Sequence, residues 1–174
     1  MSYSLPALAL LWYLILKKKS LVLSSGELRP KLVDVYSFLG ASGGLILIGV
    51  GISLATTSFS SFSAVPRIQA PVNVLGWIIM TFSCIGTGYL EESYFRFYLL
   101  RKLEEWVSSS FLRITFSVLL FALCHVYEGP WGILNAVLAG FLLSFIYERC
   151  RSLHGIAMAH ASYNAFVYTM GLFL

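Results

Sequence analysis

The sequence predicts an all-α fold, a polytopic bundle of about six transmembrane helices in one integral membrane domain. Three observations carry that expectation. The 174 residues are 58% hydrophobic and 11% charged, whereas a soluble domain is about a quarter charged. The apolar residues fall in long continuous blocks rather than in amphipathic stripes, as bilayer spans require. The charged residues gather mostly in the gaps between those blocks, where they meet head groups and set topology.

The first block, Ser4 to Leu16, is short for a span and contains Pro6, so it either crosses with help from snorkelling lysines or lies at the interface. A secretory signal carries its positive charge ahead of the apolar core, whereas Lys17, Lys18 and Lys19 follow it here, so a retained anchor is expected. The second block, Val35 to Phe59, holds Gly40, Gly43, Gly44, Gly49 and Gly51, which permit close helix approach, as do Gly86 and Gly88 in the third. Thr56 to Asn73 is rich in Ser and Thr with Pro66 and Pro71, the composition of an exposed loop. The remaining blocks are Val74 to Leu103, Phe111 to Tyr127, Trp131 to Tyr147 and Leu153 to Leu174.

The formal net charge is +4, yet no basic face with interleaved aromatics exists, which argues against a nucleic-acid partner. Of the 12 basic residues all but Arg67 lie in or beside the first, third and fifth connections. If all six blocks cross, the positive-inside rule places both termini outside. Cys84, Cys124 and Cys150 have no metal-ligand or disulfide spacing and read as packing residues.

Glu91, Glu92 and Arg96 interrupt the apolar run Val74 to Leu103, and ionisable residues inside a span are functional candidates. Glu92 and Arg96 are four apart and share a face, so Arg96 can hold Glu92 ionised. Glu91 points roughly 100° away and is free to face a cavity as a general base. A purely structural ion network between helices, or glutamates lying at the interface, is the competing explanation.

His125 follows Phe121 at a spacing of four, placing both on one helical face. His160 and Asn164 are also four apart, and two such donors side by side can stabilise a developing oxyanion. His154 sits beside Arg151 at a block edge, where head-group contact accounts for it. Glu92 lies ten residues before Lys102, His125 twelve after Arg113 and His160 nine after Arg151, which is about 14 to 18 Å of helix rise from one side. The nearby pair Gly129 and Pro130 conflicts with that depth for His125, because it places His125 near the opposite surface.

The ordered set Glu91-Glu92-x-x-x-Arg96, Phe121-x-x-x-His125 and His160-x-x-x-Asn164 resembles the CAAX-protease and bacteriocin-processing family, also called CPBP or Abi and related to the type II CAAX prenyl endopeptidases. The resemblance divides the chain into scaffold helices at 1–73 and a catalytic core at 74–174. It implies an intramembrane endopeptidase in which Glu91 and His125 activate water, His160 and Asn164 form the oxyanion hole, and Glu92, Arg96 and Phe121 support the site. The substrate it implies is a membrane-anchored protein or peptide: a prenylated CAAX tail, a bacteriocin leader or a C-terminal sorting signal.

Glutamate chemistry without a cofactor is preferred, because Asn164 is a poor zinc ligand and no HExxH helix is present. Zinc held by Glu91, His125 and His160 is the alternative, since such a set leaves one position for water. Serine chemistry lacks a Gly-x-Ser-Gly motif, and a membrane aspartate pair is excluded because Asp34 is the sole aspartate. Cys124 and His125 are neighbours and diverge on a helix, so they make a poor thiol–imidazole pair. The rival functions are a non-catalytic immunity or binding protein of the same architecture, and a small transporter using the buried charges as an ion path. The compact chain points to a prokaryotic cytoplasmic membrane.

Overall fold

The computed structural model describes residues 4–17, 29–58 and 71–170. All regular secondary structure among the described residues is helical, with no strand. Helix α1 spans Ser4–Lys17 and α2 spans Leu32–Ser58. Helix α3, Val74–Glu92, continues through a π-helical segment, Ser93–Leu100, into the single turn α4, Arg101–Glu104. Helix α5 is Ser110–Leu123, and a 3-10 turn at Val126–Glu128 leads into α6, Gly129–Cys150. Helix α7, Leu153–Met170, completes the described chain. The expected exposed loop falls largely on residues 59–70, which lie outside the described residues, as do Lys18, Lys19 and the last four positions.

Local chemistry sets these boundaries. The Asn73 side chain accepts from Gly76 N at 2.8 Å, and Ser109 Oγ accepts from Leu112 N at 3.4 Å, each satisfying an amide of a first turn. Pro130 stands at the start of α6, where a missing N–H costs nothing. Arg151 ends α6 in the left-handed region, at φ 49°.

Among the described residues, three segments are long and apolar enough to cross a membrane: Leu32–Thr56, Val74–Glu104 and Val126–Cys150. Each of the six expected blocks contains a helix, and among the described residues these three segments qualify as spans on length and composition. Helices α1 and α5, at 14 residues each, rise about 21 Å, short of the ~30 Å hydrocarbon core. Large apolar side chains such as Leu47, Val74 and Phe82 face outward, as a lipid-bathed surface allows.

Helix α7 packs against α2 and α3, α6 packs against α5 and α2, and α1 lies along α3. Leu45, Phe97, Leu100, Val118, Leu143, Tyr147 and Ile156 form the main core. Of the glycines expected at interfaces, Gly40, Gly43 and Gly51 meet nothing, whereas Gly88 is essential to the α3–α7 approach. A Cβ there would lie 2.7 Å from Ala157 O and 3.0 Å from Ala161 N.

The first, third and fifth connections meet at one end of the bundle. Asp34 Oδ2 accepts from Lys31 N at 2.7 Å, and its Oδ1 accepts from Ser152 Oγ at 2.5 Å, so the starts of α2 and α7 are capped together. Arg113 donates to Val107 O and Ser108 O at 2.9 and 3.0 Å and lies 3.5 Å from Glu148. Arg151 pairs with both Glu104 and Glu148. Among the described residues, Lys31, Arg113 and Arg151 thus lie at one end of the molecule, as the charge pattern predicts.

Candidate active site

The site lies where the end of α3 crosses α7. Gly88 lets the two backbones approach, and one turn further along Glu92 reaches His160. Glu92 Oε1 accepts from His160 Nδ1 at 2.7 Å and from Arg96 Nη1 at 3.0 Å. Glu92 and Arg96 are both 0% exposed, so each charge depends on the other for compensation. The guanidinium also donates from Nη2 to Gly140 O and from Nε to Ser144 Oγ, both at 3.3 Å. Its plane lies 4.6 Å from the Phe121 ring centre, a cation–π contact in a desolvated setting.

Because a carboxylate only accepts, the Glu92 contact assigns the proton of His160 to Nδ1 and turns Nε2 toward the second glutamate. Glu91 Oε2 is 3.6 Å from that Nε2, too long for a hydrogen bond, and this buried oxygen has no donor on it. The Glu91 side chain is 23% exposed. The adjacent glutamates therefore occupy different settings, one enclosed and braced, one partly open and unbraced.

His125 comes to the same place by a different route. Helix α5 ends at Leu123, so His125 stands in the turn beyond it rather than on the helix face that the spacing predicts. Its Nδ1 nevertheless donates to Phe121 O at 2.8 Å, and its ring lies 4.5 Å from the Phe121 ring. Phe121 also meets His160, ring centres 6.0 Å apart, and so stands between the two imidazoles. Glu91 is within electrostatic reach of His125 as well as His160. His125 is near the end of its block, and its ring folds back onto the preceding turn.

Asn164 sits half-buried one turn beyond His160, and its side chain makes no hydrogen bond with the described residues. The neighbouring Tyr163 hydroxyl donates to Asn135 Oδ1 at 2.8 Å. The Nδ1 of His154 pairs with the Tyr89 hydroxyl at 3.0 Å.

For zinc, the set Glu91, His125 and His160 is not gathered as a coordination sphere. Among the described residues no three His, Cys, Asp or Glu side chains form a metal-binding group. Both histidines commit Nδ1 to an oxygen acceptor, Glu92 Oε1 and Phe121 O, which leaves Nε2 as the atom of each ring that could reach a metal.

Sequence reading missed three features of the site. The π-helical stretch at Ser93–Leu100 carries Arg96, and such segments mark functional sites in helices. Ser144 and Gly140 on α6 hold the guanidinium. Ser117 on α5 donates to Phe95 O at 3.0 Å, inside the π-helical stretch. Buried serines in apolar helices were the only available signal.

A family model described as Type II CAAX prenyl endopeptidase Rce1-like matches residues 73–166. No curated protein and no solved structure shows a significant match.

Proposed function

The chain belongs to the family of Rce1-like type II CAAX prenyl endopeptidases, within the CAAX-protease (CPBP) group, and from that premise we propose that it hydrolyses a peptide bond of a membrane-associated protein through glutamate-activated water. Membership makes it an integral membrane protein of a protease family; the chemistry and the substrate are the proposal. The observation that carries it is the division of labour between the glutamates. Glu92 Oε1 is committed to Arg96 and His160, while Glu91 Oε2 faces His160 Nε2 with no donor on it.

In this reading Glu91 takes a proton from water as the water oxygen attacks the scissile carbonyl. His125 assists that step, with its ring fixed by Phe121 O and its Nε2 available as an acceptor. The carbonyl oxygen becomes an oxyanion, bound by the Asn164 amide and by His160 Nε2. His160 already gives its Nδ1 proton to Glu92, so it donates from Nε2 only when doubly protonated. The proton held by Glu91 then passes to the departing nitrogen as the C–N bond breaks, leaving an acid and an amine. Glu92 and Arg96 hold His160 in place throughout. The catalytic part of the chain is 74–174, with 1–73 as scaffold.

No metal takes part in this scheme. Metal analysis of active protein checks it: active protein with less than one-tenth of an equivalent of zinc, roughly, agrees with glutamate chemistry, and stoichiometric zinc whose removal abolishes activity does not. The family description makes a prenylated CAAX tail the first substrate to test. Comparative terminal proteomics of membranes carrying wild-type or Glu91→Ala protein tests the function as a whole. A membrane protein whose terminus is trimmed only with the wild type is the expected result, and identical termini in both would count against proteolysis.

A further inference from the structure

Hydroxyl side chains in an apolar helix usually satisfy themselves by bonding a carbonyl one turn back on their own helix. Several in this chain do so: Ser37 bonds Val33 O at 2.8 Å, Thr81 bonds Trp77 O at 2.9 Å and Thr169 bonds Ala165 O at 2.7 Å. Ser117 and Ser144 do not. Each is 0% exposed and reaches across to the π-helical segment that follows α3, Ser117 donating to Phe95 O and Ser144 accepting from Arg96 Nε.

Those two contacts fall on consecutive residues of a wide turn. A π-helix closes each hydrogen bond over five residues rather than four, which makes it less favourable than the α-helix it interrupts. Outside contacts that select its geometry therefore matter. Arg96 projects from this turn to Glu92, and Glu92 in turn holds His160. Three buried hydrogen bonds connect Ser144 to the imidazole that faces Glu91, and α5 and α6 supply the fixed ends.

We infer that Ser117 and Ser144 are positioning residues, clamping the π-helical turn so that Arg96 and Glu92 hold His160 in its working orientation. The inference rests on the proposed protease reading for its kinetic consequence but not for its structural one. Neither serine touches the reacting atoms. Their loss misaligns His160 while the substrate-binding surface stays intact.

The test uses the full chain in detergent micelles with ¹⁵N-labelled histidine, the His160 signal being assigned by its disappearance in His160→Gln. In the wild type the signal should show an Nδ1-protonated imidazole or imidazolium. Ser144→Ala and the Ser117→Ala, Ser144→Ala double variant should shift it, and Ser144→Thr, which restores the hydroxyl, should return it. On a farnesylated CAAX peptide the alanine variants should lose about 10- to 100-fold in kcat with KM unchanged. If Ser144→Ala does not fold, Ser144→Cys, with a weak acceptor of similar size, is measured in the same way. An unchanged His160 signal in the folded variants, or lowered thermal stability with wild-type kcat, overturns the inference. The imidazole signal needs no substrate, so a wild type that cleaves nothing would defeat the protease reading and leave the clamp to be judged by the signal alone.

Discussion

At the scale of single residues, the decisive contrast is between two carboxylates adjacent in the chain. Glu92 is fully enclosed and shares one oxygen between a guanidinium and an imidazole, whereas Glu91 keeps a buried oxygen free of donors. Their substitutions should therefore fail in different ways. Glu91→Gln should leave the thermal unfolding midpoint in detergent unchanged while lowering cleavage by about 100-fold or more, the usual worth of a general base. Glu92→Ala leaves Arg96 buried without its carboxylate and should cost about 3 to 5 kcal/mol of stability, seen as a lowered unfolding midpoint. Similar melting of the two variants would mean that the enclosed Glu92–Arg96 pair does not brace the fold.

The motif residues were readable in the sequence because a charge inside an apolar run has few reasons to be there. Glu91, Glu92, Arg96 and His160 come together in the structure, and His125 joins them through Phe121, although by a turn rather than by the helix face that its spacing implies. Ser117 and Ser144 were not readable. A serine in an apolar helix satisfies itself locally at no penalty, so its sequence position says nothing about which carbonyl or guanidinium it meets.

At the scale of elements, the site depends on how closely α3 and α7 approach. Gly88→Ala would set a methyl group 2.7 Å from Ala157 O, a backbone atom that cannot step aside. Separating the helices should cost about 1 to 3 kcal/mol and should stretch the Glu92–His160 bond, so activity should fall more than stability does. Gly40→Ala, where a Cβ meets nothing, is the matched control and should be silent in both measurements. Joint capping of α2 and α7 gives a milder case. Asp34→Ala removes acceptors for Lys31 N and Ser152 Oγ and should cost about 1 kcal/mol.

The helices themselves were legible from hydrophobic blocks, to within a few residues at most ends. Two features were not. The π-helical stretch after Glu92 changes the residues per turn without changing composition, because its cause is the set of contacts from α5 and α6 rather than local propensity. Likewise the four-residue spacing of Phe121 and His125 suggested one helical face, but α5 stops at Leu123 and the same pair meets through a folded-back turn.

At the scale of the whole molecule, the basic connections converge on one end, where Arg113, Arg151, Glu104 and Glu148 interlock. By the positive-inside rule that end is expected to face the cytoplasm. In a background with the three native cysteines replaced, a membrane-impermeant thiol reagent should label Ser108→Cys from the cytoplasmic side and Tyr127→Cys from the opposite side. Labelling of both from one side would show that α5 does not separate the two faces. Composition alone could indicate a membrane bundle, but not how many helices cross, since α1 and α5 are apolar yet short.

The most direct measurement of the proposed chemistry uses purified protein in lipid vesicles with a farnesylated CAAX peptide in the same bilayer. Release of the terminal peptide by the wild type, and its loss in Glu91→Gln and His125→Ala proteins that remain folded and inserted, is the expected outcome. Undiminished release by both variants would mean that the bond is broken somewhere other than at this site.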